Sequence, residues 1–103
     1  SGFGGHGFLF VGFLPRKTGA RRKILEQCAL LPVPVIFYES PYRLLKTVEE
    51  IGETAGAGRK IFTARELTKK FEELFCGTPA ETAAHYAGRN VKGECVVVVA
   101  PAE

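Results

Sequence analysis

The chain has 103 residues, 46% hydrophobic and 24% charged, with a formal net charge of +3. That length holds one domain, large enough to bury roughly 60 to 70% of the surface its unfolded form exposes. No apolar run approaches the roughly 20 residues needed to cross a bilayer, which argues against membrane insertion. Cys28, Cys76 and Cys95 lie far apart and form no Cys or His ligand spacing, so they read as reduced thiols in a cytoplasmic protein without a metal site.

Residues 1–7, SGFGGHG, read as a flexible glycine-rich segment, and 8–103 as one domain. Gly2 to Gly7 satisfies GxGxxG letter for letter. That fingerprint binds a dinucleotide only after a strand and at the head of a helix, whereas here a strand follows it. Phe8 to Leu14 is an aromatic-rich strand closed by Pro15. GFLPRKT resembles a phosphate loop but lacks the second glycine before its lysine. Thr18 offers an N-cap, and Ile24, Leu25, Cys28, Ala29 and Leu31 recur at helical spacing up to Pro32. Arg16, Lys17, Arg21, Arg22 and Lys23 crowd this start as RKTGARRK, a pattern shared by polyanion sites and by solvated helix faces.

Val33 to Tyr38 is a second strand, and Ser40-Pro41 then supplies an N-cap and a first-turn proline. Leu44, Leu45, Val48 and Ile51 form the apolar stripe of the helix that follows, ended by glycines at 52, 56 and 58. Lys60 to Glu66 is a third strand. Lys69 to Gly77 fits either a helix or a short edge strand. Thr78-Pro79-Ala80-Glu81 has the residues of a capping box and opens a short helix carrying Ala84 and Tyr86. Glu94 to Ala100, ECVVVVA, is continuously apolar and β-branched, as a strand covered on both faces must be.

Alternating strands and helices predict an α/β layer fold, in which ligands gather beyond the carboxyl ends of parallel strands. Three predicted strands end in polar groups, at Pro15-Arg16-Lys17, Glu39-Ser40-Pro41 and Arg65-Glu66. If those strands run parallel, the three groups share one rim. His6 and His85 have no sequence neighbours suited to a metal or a nucleophilic dyad and read as exposed or locally bonded imidazoles.

Taken together, FLFVGFLPRKTGARR, VIFYESPYRLLKTVEEI, ARELTKKFEELFCGTPAE and GECVVVV resemble the C-terminal half of the ribosomal RNA small subunit methyltransferase I family, within the tetrapyrrole methylase superfamily. The resemblance runs from about Phe8 to Ala100. It implies a five-stranded mixed sheet in the order first, second, fifth, third, fourth, with strands 4 and 5 antiparallel to the rest and helices flanking it. Glu72 to Thr78 then becomes the fourth, edge strand, and Leu67 to Phe71 a hairpin tip on the rim.

The resemblance also implies an enzyme that uses S-adenosylmethionine to methylate a cytidine ribose 2′-hydroxyl in small-subunit rRNA, homodimeric at full length. The family's N-terminal half, with its glycine-rich cofactor loop, has no counterpart here, so the chain alone is expected to be inactive. Where relatives commonly carry histidine, this sequence has Tyr42. Expected RNA contacts are Arg16, Lys17, Arg21, Arg22, Arg65, Lys69 and Lys70, with Tyr42 or Phe71 available to stack on a base. Tyr38, Glu39 and Ser40 are expected near the cofactor, and Glu39 and Glu66 are candidate bases by location alone. Two other readings use the same residues: a non-catalytic RNA-binding module, and a domain that methylates a small tetrapyrrole.

Overall fold

A computed structural model describes residues 7–66, 72–88 and 93–102. In chain order the elements are β1 (Leu9–Phe13), α1 (Thr18–Ala29), β2 (Val35–Glu39), α2 (Leu44–Ala55), β3 (Ile61–Glu66), β4 (Glu72–Gly77), α3 (Pro79–Tyr86) and β5 (Cys95–Val99). The sheet runs β1-β2-β5-β3-β4, with β1 parallel to β2 and β5 antiparallel to both β2 and β3. Since β5 is antiparallel to both β2 and β3, strands β1, β2 and β3 point the same way and their carboxyl ends form one rim, while β4 runs antiparallel to β3. The expected strand order, orientations and edge strand are all present.

Alternation along each strand divides the sheet into two faces. Val35 and Phe37 of β2, Cys95, Val97 and Val99 of β5, and Ile61 of β3 join one buried cluster with Leu25 of α1, Leu44, Val48 and Ile51 of α2, and Tyr86 of α3. Burying a side chain the size of Phe37 contributes about 1.5 to 3 kcal/mol. On the opposite face Phe10 meets Tyr38 edge-on with ring centroids 5.3 Å apart, and Phe13 lies 5.3 Å from the same ring. A bulge in β1 between Phe10 and Gly12 makes this possible. Gly12 has φ of 84°, a left-handed conformation that a side chain resists, and the shift sends Phe13 outward while Leu14 packs on the core.

The capping box is present as expected: Thr78 Oγ1 accepts from Glu81 N–H at 3.2 Å, and Glu81 Oε1 accepts from Thr78 N–H at 2.8 Å. The carboxylate's bonds to Thr78 hold its pKa below the ordinary glutamate value. A Cβ on Gly77 would sit 3.0 Å from Glu81 Cβ, so the strand can approach this box only without a side chain.

Two expected starts differ. Lys17, not Thr18, occupies the N-cap of α1, and no side chain caps it. At Ser40-Pro41 the chain first makes a turn, with Arg43 N–H donating to Ser40 O at 3.0 Å, so α2 begins at Leu44. Leu45, expected in its apolar stripe, is exposed, while Thr47 is buried.

Candidate nucleic-acid interface

The rim is built by two neighbouring connections. The β1–α1 turn brings Phe13, Leu14 and Arg16 to one side of a pocket of about 430 Å³, and the elbow after β2 brings Glu39, Ser40, Tyr42 and Arg43 to the other. The elbow holds itself in shape: Ser40 Oγ accepts from Tyr42 N–H at 3.2 Å, and Ser40 N–H donates to Glu39 Oε1 at 2.8 Å. Tyr42, 95% exposed, and Phe13, 65% exposed, present ring surface to solvent.

Beneath this pocket lies a buried ionic network. Arg21, on the core side of α1, donates from one guanidinium nitrogen to Glu50 Oε1 at 2.6 Å and to Thr47 Oγ1 at 2.5 Å. The same nitrogen lies 3.8 Å from Glu39 Oε2, which also accepts from the Thr47 hydroxyl at 2.5 Å. Both Glu39 carboxylate oxygens therefore have donors inside the fold. Arg21 is 3% exposed, Glu39 5% and Glu50 4%. Among the described residues, Arg21 Nε and Glu50 Oε2 have no hydrogen-bond partner, so the network is tight but not fully satisfied.

The expected RNA contacts consequently divide. Arg16 and Lys17 are exposed at the start of α1. Arg22 pairs with Glu53 at 2.6 Å in a solvent-facing position. Arg21 cannot reach a phosphate from its buried site, and this corrects its place in the expected set. Arg65 is 4% exposed and donates to Glu73 Oε1 from Nε at 3.0 Å and from a terminal nitrogen at 2.7 Å, which removes it from the contact surface for the same reason. Lys69, Lys70 and Phe71, with the rest of the hairpin tip, lie outside the described residues, as does His6.

His85 is locally bonded, its Nε2 lying 3.3 Å from Glu73 Oε2 and its ring stacked on Phe75 at 4.1 Å. Glu66 closes β3 at the rim. Tyr38 belongs to the opposite sheet face, against Phe10 and Phe13. Cys28, Cys76 and Cys95 are unpaired thiols. Burial pushes Cys95 up to about 11 and raises Cys28, so neither is poised as a nucleophile.

Arg43 was not singled out by sequence reasoning. It follows Tyr42 on the elbow, and its guanidinium, like that of Arg16, has no internal acceptor among the described residues. The contrast with Arg21, Arg22, Arg59 and Arg65, all held by internal oxygens, is what marks it out.

No family model matches the chain. Ribosomal RNA small subunit methyltransferase I from Mesorhizobium japonicum is 47% identical over 104 residues, covering 100% of this chain and 35% of that protein. The chain is homologous to a part of this methyltransferase family. It spans about a third of that relative's length. The crystal structure of the methyltransferase CobJ superposes with a TM-score of 0.65 at 21% identity, over 94% of this chain and 42% of CobJ. Uroporphyrin-III C-methyl transferase from Thermus thermophilus, complexed with S-adenosyl homocysteine, gives 0.56 at 16% identity, over 90% and 41%. At those identities the two structures speak for the fold alone, the α/β arrangement whose sheet runs β1-β2-β5-β3-β4 in this chain.

Proposed function

We propose that this chain forms one wall of the RNA cleft in an S-adenosylmethionine-dependent methyltransferase acting on a cytidine ribose 2′-hydroxyl of small-subunit rRNA, in a cytoplasmic enzyme that is homodimeric at full length. Residues 8–103 are that wall. The whole-chain identity with the Mesorhizobium japonicum relative carries the reading. The rim supports it, because its exposed cations suit a polyanion and a small tetrapyrrole would not need them.

S-adenosylmethionine, when bound, supplies the methyl group as a cationic sulfonium. The elbow fits only part of such a molecule. Glu39, the carboxylate in the pocket lining, has its oxygens engaged from inside by the Thr47 hydroxyl and Ser40 N–H, with Arg21 3.8 Å away, while Arg16 and Arg43 would repel a cation. Tyr38, which does not line that pocket, remains for a flat, neutral adenosyl group, and the charged end needs groups from elsewhere in the enzyme. For the reaction itself, this chain positions RNA: exposed cations at the rim hold phosphates and so align the ribose oxygen. Glu39, with both oxygens bonded internally, acts as a positioning residue for the elbow and not as the base. Glu66, at the end of β3, stays a candidate by location.

A chimera tests the proposal. The Mesorhizobium japonicum relative with its matching segment replaced by this chain should transfer radiolabelled methyl groups to ribose in small-subunit rRNA, and the chain alone should transfer none. A folded chimera that binds RNA but never methylates it would favour the non-catalytic module instead.

A further inference from the structure

Six arginines fall within the described residues: Arg16, Arg21, Arg22, Arg43, Arg59 and Arg65. Arg21 is bonded to Thr47 and Glu50, Arg22 to Glu53, Arg59 to the carbonyls of Ala29 and Ala100, and Arg65 to Glu73. The other two line one pocket. Two guanidiniums that have no acceptor among the described residues and share one concavity repel one another, and an anion relieves that repulsion. Beside them the phenol ring of Tyr42 stands almost wholly in solvent on an elbow fixed by three local hydrogen bonds. The backbone that carries the ring is fixed, and the exposed ring offers a stacking face for an unpaired base.

From this geometry we infer that the pocket between the β1–α1 turn and the β2 elbow is a mononucleotide subsite for single-stranded RNA. One phosphate is held by Arg16 and Arg43, and its unpaired base lies against Tyr42. Glu39 is 5% exposed and has both carboxylate oxygens bonded inside the fold, so those oxygens are not the partners of the two arginines in the pocket. The pocket's volume of about 430 Å³ suits one nucleotide and lies within the usual range for small-ligand sites. Only the choice of RNA as the polymer rests on the methyltransferase reading; the preference for a phosphate beside a flat ring rests on the side chains.

Titration of the chain with a short single-stranded RNA, followed by fluorescence anisotropy across a salt series, tests the assignment. Arg43→Ala and Arg16→Ala should each weaken binding on the order of tenfold, and the double variant should lower the salt slope by about 0.7, the value of one phosphate contact on a single strand. Tyr42→Ala should weaken it by roughly tenfold while Tyr42→Phe retains affinity, because stacking needs the ring and not the hydroxyl. Lys60→Ala, at the opposite end of β3, serves as the distant control. All of these residues except Arg43 are exposed, so folding of the variants is checked simply by an unchanged melting curve.

If RNA binds but the Arg16, Arg43 and Tyr42 variants match Lys60→Ala, the subsite is wrong although the methyltransferase reading stands. No RNA binding at all also overturns the subsite, and the chimera decides the larger reading separately. Displacement of the RNA by S-adenosylmethionine would assign the pocket to the cofactor and overturn the inference.

Discussion

Arg16 and Arg21 belong to the same cationic run, five positions apart, yet they occupy opposite electrostatic environments. Arg16 lines the rim pocket with no partner among the described residues, and Arg21 lies buried, tied to two acids and a threonine. A buried guanidinium cannot leave its counter-ions without a large desolvation cost, whereas an exposed one exchanges water for phosphate at little cost. The difference shows that a basic cluster combines two functions: part of it builds the site and part of it faces the ligand.

The most damaging way to test that division is Arg21→Ala. Removing the cation leaves Glu39 and Glu50 buried against each other, so the loss should be about 3 to 5 kcal/mol, a large share of the stability of a small domain. Chemical denaturation measures it. Glu50→Gln should cost less, since one cation and one carboxylate then remain in balance. If Arg21→Ala unfolds at the wild-type midpoint, the network does not hold the elbow and the contrast with Arg16 collapses.

A smaller effect comes from the same row of the sheet, where Cys95 stands between Glu39 and Arg65 in the strand ladder. Burial, opposed in part by the charge of Arg65, pushes its thiol from 9.0 to about 11, and burial also raises the Tyr86 phenol. Both groups lose their protons earlier in the unfolded chain. Stability is therefore full below about pH 9 and falls as pH climbs through 11, because the folded state binds more protons across that window. Cys95→Ala should flatten the first part of that decline. A stability curve level from pH 8 to 11 would mean that water reaches this row.

Much of the fold was legible in the residues. The strands announced themselves through β-branched and aromatic runs, and Thr78 with Glu81 located the start of α3 to the residue. Strand order was not available from periodicity, since ECVVVVA says only that β5 is covered on both faces; the family resemblance supplied it. Ser40-Pro41 misled because a good cap followed by proline suits a turn as well as a helix. At the site, the shared rim was readable from strand ends, but the fate of each cation was not. Residue type does not reveal partners, and those of Arg21 lie 26 and 29 positions away. One signal was present: Arg21 precedes Leu25 by four and Ala29 by eight, which puts it on the core stripe of α1. Arg43 had no such marker, because only the census of bonded guanidiniums distinguishes it.

Arg22→Ala is the mildest test and the one that separates distance from burial. Its guanidinium approaches Glu53 to 2.6 Å, the same separation as Arg21 to Glu50, but the two side chains are 37% and 50% exposed. The hydrogen bond to Glu53 raises the arginine's pKa without changing its charge at any ordinary pH. Water and salt screen such a pair, and fixing two long side chains opposes it, so the unfolding midpoint should not move measurably. RNA affinity should fall less than for Arg16→Ala, because a phosphate must first draw Arg22 away from Glu53. A stability loss matching that of Arg21→Ala would show that separation, and not burial, governs these pairs. Equal losses of RNA affinity at Arg16 and Arg22 would spread the interface along α1 and remove the pocket's claim to a single phosphate.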